Sequence, residues 1–519
     1  MKKIIDCTLR DGGYHTKWNF NKEFLDSYFK LLKVNPYLEA EIGYRRHSLF
    51  VDDSSLGKLA FCNQSFLNYL KKFNLKNKLW IMIDVKELRA LGLSSSVYLD
   101  NLSIFKDSLL PVKSIRLAVN LNNLNYAISL SKELIRRNFE VAINIMNIFN
   151  RDIEDIKSAL KNIQNLSISR IYFADSEGIG KPSDLANLFS NVTPIVNEEI
   201  DLGFHSHNNN GMAMAWCLEP VAEKIAACDG SFLGFGRGAG NASTETLLAY
   251  FKDLTPLQCS YIMDFIEKFI KPLQIKYNWG SNLATIIGSK FKLNQTQLVN
   301  FLEPSQFNNF EKISAIYKYN SLRNKKIKEE NIITSTLNKI ESKNVLIIAP
   351  GKTMQNNSFF DPILTYINEF KPIVIEINVV NCLDHFEQRI TCVNSIERLC
   401  QIFSRERVEP KYFLTSNKRI FSLILENKEK SKVDLFDRKL FQNRFDEDQL
   451  SHSVCVALGY SEIKKAKNII LAGVDGEESM ASRFSLVQRA IDNISQNISL
   501  YSFTPTRHNV PLKLIHSII

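Results

Sequence analysis

Short apolar, β-branched runs punctuate the first half of the chain. They are KIIDCT (3–8), LEAEIG (38–43), LWIMID (79–84), SIRLAV (114–119), EVAINIM (140–146), RIYFAD (170–175), DLGFHS (201–206) and GSFLGFG (230–236). After each comes a polar loop. Then follows a stretch with apolar residues at i, i+3, i+4 and i+7, as in NKEFLDSYFKLLK and NLNYAISLSKELIRR. Strands and helices alternating at this spacing predict a (β/α)8 TIM barrel over 1–255, in preference to an open doubly wound sheet. Over 256–340 the helical spacing continues without strands, which reads as a helical extension and linker. Apolar runs return in NVLIIAPGK, PIVIEINVV (372–380), KYFLTS (411–416), KVDLFD (432–437) and KNIILAGVDG (467–476). These predict a second, smaller Rossmann-like α/β domain over 341–519, built on an open parallel sheet.

Composition narrows the function classes. The chain has 519 residues, of which 45% are hydrophobic and 23% charged, a globular balance with room for more than one core. The net charge of +10 is scattered. Its densest cluster, RNKKIKEE at 323–330, carries its own acids, so a solvated face is expected rather than a nucleic-acid surface. Nine cysteines without a CxxC pair suggest reduced thiols in a cytoplasmic protein. No run is long enough to span a membrane, and Asp6 and Arg10 interrupt the N-terminus before a signal sequence could form.

In a (β/α)8 barrel the chemistry gathers where the strands end at their C-terminal side. After the first strand stand Arg10, Asp11, Tyr14 and His15. Glu41 lies near the end of the second, Asp84 closes the third, and Arg116 lies within the fourth. The sixth ends in Asp175 and Ser176. The seventh carries His205 and His207, whose i, i+2 spacing sends both imidazoles to one side. The Gly-rich turn from Gly234 to Gly240 then presents Asn241. An acid, two imidazoles and an amide oxygen on one mouth suit Mn²⁺ or Mg²⁺, with Co²⁺ or Zn²⁺ also compatible.

Three of these stretches, DCTLRDGGY, HSHNN and GFGRGAGNASTE, together resemble the metal-dependent DRE-TIM family, whose members include hydroxymethylglutaryl-CoA lyase, isopropylmalate synthase and 4-hydroxy-2-oxovalerate aldolase. The TLRDG opening and the GAGNA turn are most similar to the last of these. The resemblance covers roughly the first 300 residues. It implies metal ligation by Asp11, His205, His207 and Asn241. It further implies that Arg10 stabilises the enolate of a bound 2-oxo acid and that Glu41 orients Arg10. The implied substrates are a 2-oxo acid and an aldehyde, and a homo-oligomer is expected. The sequence departs from the aldolase pattern at Tyr14, where the family has a histidine that moves the hydroxyl proton. Either His15, one place later, takes the role, or Tyr14 does. A histidine suits proton transfer near neutral pH better than an unperturbed tyrosine, which favours His15.

Other residues have quieter readings. Asp84 is expected to fix a loop. Arg116 is a buried ion-pair partner or a contact for the substrate carboxylate, and Ser176 a helix cap or a substrate contact. The basic run Arg45, Arg46, His47 is a solvated loop or a receiver for an anionic substrate. APGKT (349–353) lacks the glycine that a Walker A loop needs five residues before Gly351, since Leu346 stands there. With LAGVDG it would still form strand-end loops suited to a nucleotide or sugar. Two further functions stay open: an acyl-CoA-dependent Claisen synthase, and a non-catalytic barrel whose second domain binds a nucleotide or sugar.

Overall fold

The computed structural model describes residues 2–47, 56–75, 77–102, 111–218, 225–302, 307–323, 343–355, 357–378, 380, 383, 389–405, 412–427, 432–436, 445–476, 481–494 and 496–515. The chain forms two compact units, Met1–Leu298 and Val299–Ile519.

The first unit is a closed parallel barrel. Its strands are β1 (Lys3–Asp6), β2 (Leu38–Tyr44), β3 (Leu79–Asp84), β4 (Ser114–Val119), β5 (Glu140–Ile145), β6 (Arg170–Asp175), β7 (Asp201–Ser206) and β8 (Ala227–Gly230). Pairing of β1 with β8, Ile4 opposite Cys228, closes the ring. Successive residues face opposite sides. On β4, Ile115, Leu117 and Val119 join the large apolar core, while Arg116 reaches across the ring to β2 and β8. The helices start where short polar side chains cap them. Asn21 accepts from Phe24 N, Asn63 from Phe66 N, and Asp84 from Lys86 N, so Asp84 fixes a strand-end loop.

One strand differs from expectation. The eighth lies at 227–230, three residues earlier than the apolar run GSFLGFG suggested. The chain leaves the sheet because Leu233 and Gly234 take left-handed backbone at φ 48° and 65°. It doubles back, with Asn241 N donating to Gly234 O (3.0 Å) and Ser231 N to Ala242 O (2.9 Å). Apolarity alone does not distinguish a strand from a tight turn buried in the core.

The helices Pro256–Phe265, Lys271–Tyr277 and Leu283–Lys290 belong to the first unit, and Asn309–Leu322 to the second. The second unit is a seven-stranded parallel sheet. It comprises β9 (Asn344–Ile348), β10 (Ile373–Ile377), β11 (Arg389–Cys392), β12 (Tyr412–Thr415), β13 (Lys432–Leu435), β14 (Asn468–Ala472) and β15 (Ser499–Ser502), in the order 13-12-11-10-9-14-15. Val345, Ile347 and Ile375 face one core; Leu346, Ile348 and Val374 face the other. Both faces are covered, which explains the unbroken apolar runs of β9, β10 and β14. Strands β11 and β15 escaped the sequence pattern because RITC and SLYS are short and carry polar residues. Arg389 and Thr391 both bond the buried carboxylate of Glu376 on β10. Among the described residues the cysteines are free thiols, nearly all buried, and no helix is long and apolar enough to cross a membrane.

Candidate metal centre

Asp11 ends a helical turn directly after β1, His205 lies on β7, and His207 follows one residue past it. Ligand atoms of the three all lie within 4.8 Å of one another, and all three residues are buried. His207 and Asn241 form an isolated antiparallel bridge, which delivers the amide to the same place. Asn241 Nδ2 donates to Asp11 Oδ2 (2.8 Å), while its Oδ1 is buried with no hydrogen-bond partner. An orphaned acceptor beside a carboxylate and two imidazoles is what a cation site requires. Gly236 is obligatory here, because a Cβ would sit 2.5 Å from Asp11 Oδ2 and 2.4 Å from Asn241 Nδ2.

Each imidazole is oriented from behind. His205 Nδ1 lies 2.9 Å from Asp229 Oδ2 and His207 Nδ1 lies 3.3 Å from Gly240 O. Nδ1–H donation to these oxygens leaves Nε2 of both rings as the ligand atom. Burial lowers the His207 pKa to about 3 against the opposing pull of Asp11, so the ring is neutral at physiological pH. Burial pushes the Asp11 carboxyl up, but the Arg10 guanidinium above all outweighs it and holds the group well below the usual carboxylate range, ionised at neutral pH. A neutral imidazole and an ionised carboxylate are the states that bind a divalent ion.

Behind the ligands runs a chain of buried charges. Arg10 donates from NH1 to Asp11 Oδ1 and from Nε to Glu41 Oε2, both at 2.7 Å. Its NH2 is buried and has no partner. Glu41 Oε1 lies 3.6 Å from Arg116 NH1, and Arg116 NH2 donates to Asp229 Oδ2 at 2.5 Å. The Arg116 guanidinium stacks 3.6 Å above the Tyr172 ring. One line of alternating charge thus joins Asp11 to His205 through Arg10, Glu41, Arg116 and Asp229. Arg116 lies deep in the barrel and holds Asp229. Ser176 Oγ accepts from Asn147 N at 3.2 Å.

The two candidates for proton transfer part company. His15 Nε2 donates to Gly236 O at 2.8 Å. Its ring stacks against Phe235 and Tyr277 with centroids 5.7 and 5.2 Å away. Tyr14 is 38% exposed, and its hydroxyl lies 3.0 Å from that of Tyr44. Asp229, Tyr44 and Arg237 had no place in the sequence reading. Asp229 sits two residues after Ala227 on the inner face of β8, and the misplaced strand hid that alternation.

A family model described as HMGL-like matches residues 115–266. The chain is similar to the 4-hydroxy-2-oxovalerate aldolase of Pelotomaculum thermopropionicum, 36% identical over 19% of this chain and 29% of that protein. It is also similar to the enzyme of the same name from Geobacillus genomosp. 3, 24% identical over 52% of this chain and 77% of that protein. It spans about a third of the length of several such relatives. Among solved structures, the N-terminal domain of a candidate aldolase from Bacteroides vulgatus superimposes with a TM-score of 0.50 at 28% identity, covering 58% of this chain and 97% of that one.

Proposed function

We propose that the chain, whose residues 115–266 match an HMGL-like family model, is a divalent-metal-dependent aldolase of the DRE-TIM kind. It cleaves or forms a 4-hydroxy-2-oxo acid, with pyruvate on one side and an aldehyde on the other. The observation that carries this reading is the convergence of Asp11, His205, His207 and the unpartnered Oδ1 of Asn241 beside the unpartnered NH2 of Arg10. A bound Mn²⁺ or Mg²⁺ would supply Lewis-acid polarisation of the 2-oxo group.

The chain's own residues do the rest. Arg10 NH2 donates to the same oxygen as negative charge gathers on it, and Glu41 keeps the guanidinium aimed. In cleavage, the C4 hydroxyl loses its proton and the C3–C4 bond breaks. Its electrons pass to the 2-oxo acid as enolate, the aldehyde departs, and C3 takes up a proton to give pyruvate. The Tyr14 hydroxyl, partnered by Tyr44 and 38% exposed at the mouth, relays the C4 hydroxyl proton, passing its own phenolic proton to solvent as it accepts, while His15 Nε2 is engaged at Gly236 O. Free, mostly buried thiols support a reducing, cytoplasmic setting. The second unit would hold a sugar- or nucleotide-linked partner, as suits surface-sugar biosynthesis. Supporting this is the reversal of strand order between β9 and β14, the place where open α/β sheets bind ligands.

Purified full-length chain given Mn²⁺, pyruvate and a panel of aldehydes should consume pyruvate. His207→Ala and Asp11→Asn should lose metal uptake while keeping the native circular-dichroism spectrum. Thioester release from acetyl-CoA and a 2-oxo acid, with no pyruvate consumed beside any aldehyde, would move the chain to the Claisen branch.

A further inference from the structure

Most guanidiniums inside or beside the barrel ring have a carboxylate. Arg10 has Asp11 and Glu41, Arg116 has Asp229, and Arg170 has Glu39. Three that follow strands β2 and β8 do not: Arg45 donates to the backbone at Phe61 O (2.7 Å), and Arg46 and Arg237 lie against aromatic rings. Arg46, two residues past β2, lies with its guanidinium carbon 4.3 Å over Trp18 and 4.7 Å over Tyr44. Arg237, in the Gly-rich turn after β8, lies 5.1 Å over the Tyr14 ring. Among the described residues neither makes an ion pair, and the buried Nε of Arg237 has no hydrogen-bond partner. The carboxylates in their vicinity are otherwise engaged: Glu87 accepts from His47 N, Glu177 from Asn150 Nδ2, and Asp11 from Arg10.

Tyr14, Trp18 and Tyr44 form one aromatic cluster, with ring centroids 4.8 to 6.3 Å apart. The two guanidiniums bracket it. Stacking holds a guanidinium by its face and leaves its N–H edge for an anion. A partly buried guanidinium without an acceptor is costly to keep, and a ligand anion is the natural acceptor.

We infer that the aldehyde partner carries an anionic terminus, a carboxylate or a phosphate, which Arg237 and Arg46 receive. The inference rests on the aldolase reading. The Tyr14–Tyr44 pair there serves the aldehyde-derived oxygen, so cations flanking the pair meet the remainder of the aldehyde and not the 2-oxo acid.

The test uses the full-length chain with Mn²⁺ and pyruvate. Two matched pairs of aldehydes separate the anions: succinic semialdehyde against butanal, and glyceraldehyde 3-phosphate against glyceraldehyde. Exchange of the pyruvate C3 protons in deuterium oxide monitors enolisation without any aldehyde. One anionic member should exceed its neutral counterpart by about tenfold or more in kcat/KM, and added salt should shrink the ratio. Arg237→Gln and Arg46→Gln should each bring the ratio down several-fold, and Arg237→Lys should restore part of it. Equal kcat/KM within both pairs, with exchange proceeding, would overturn the anionic terminus and leave the aldolase standing. An Arg237→Gln variant that keeps the ratio but raises the pyruvate concentration needed for exchange would assign Arg237 to the pyruvate carboxylate and overturn the inference. Absence of both exchange and product would overturn the aldolase reading and this inference with it.

Discussion

Asp229→Asn should weaken Mn²⁺ binding by about ten- to a hundredfold, the usual cost of losing the carboxylate behind a metal-binding imidazole. Asp229 Oδ2 stands between two groups, His205 Nδ1 at 2.9 Å and Arg116 NH2 at 2.5 Å, and all three residues are buried. Burial raises the Asp229 pKa, and Arg116 with His205 brings it below the usual range, so the native group is a full negative charge. The amide has nearly the same shape but no charge. It would bond the ring weakly and turn an N–H toward the Arg116 guanidinium, leaving that cation only Glu41 at 3.6 Å. The affinity loss corresponds to about 1.4–2.7 kcal/mol. Stripping a buried ion of its partner costs about 3–5 kcal/mol when nothing replaces it, and the amide should recover part of this, leaving on the order of 2 kcal/mol. Melting should then fall by roughly 4–8 °C. Calorimetric titration with Mn²⁺ well below the transition separates affinity from stability. Arg116→Gln is the companion variant: it should destabilise comparably but weaken metal binding less, since Asp229 still faces His205. Native-like Mn²⁺ affinity in Asp229→Asn, within about twofold, would refute the argument and reduce Asp229 to a counter-charge for Arg116.

Two further outcomes are expected. Burial raises the Glu87 carboxyl from an ordinary 4.5 to about 7. The folded chain therefore holds a proton that the unfolded chain sheds. This contribution to stability is complete below about pH 4.5 and is lost as pH rises through 7, on the order of 3 kcal/mol in all. Urea unfolding from pH 5 to 8 should thus show Glu87→Gln gaining on the native chain as pH rises, and parallel curves would contradict the assignment. Tyr14→Phe should lower kcat for aldol turnover by about a hundredfold or more, and His15→Gln by less than about tenfold; the reverse order would return the proton to His15.

Much of this architecture was legible because barrel strands are buried on both faces and announce themselves as continuous apolar runs between amphipathic helices. The candidate metal ligands were legible for a different reason. Asp11, His205 and His207 are polar residues directly past apolar strands, where a (β/α)8 barrel puts its chemistry. The inward charges were harder to read. Glu41 and Arg116 could be named, but their partners across the ring depend on which strands meet in the barrel's interior, a long-range fact. Asp229 was lost to a boundary error. The run GSFLGFG looks like a strand, yet the left-handed Leu233 and Gly234 make it a turn. His15 illustrates another limit. An imidazole is a natural group for proton transfer, but Phe235 and Tyr277, distant in sequence, close around its ring. Chemistry on its own cannot say which way a side chain points.

The division of charge within the barrel bears on how two substrates would be kept apart. The buried line from Asp11 to Asp229 has three carboxylates, Asp11, Glu41 and Asp229, against two guanidiniums, Arg10 and Arg116. One excess negative charge in a low-dielectric interior favours a divalent cation there and disfavours a bare anion. On the aldolase reading, a 2-oxo acid would therefore be drawn to the inner site only once a bound cation had reversed the sign. Arg46 and Arg237 lie outside that line, pressed against aromatic faces, and their charge is available in either state. An anionic second substrate would thus be met at the mouth by cations that make no ion pair with the inner network, while a bound metal and Arg10 would be left for the oxygen on which enolate charge develops.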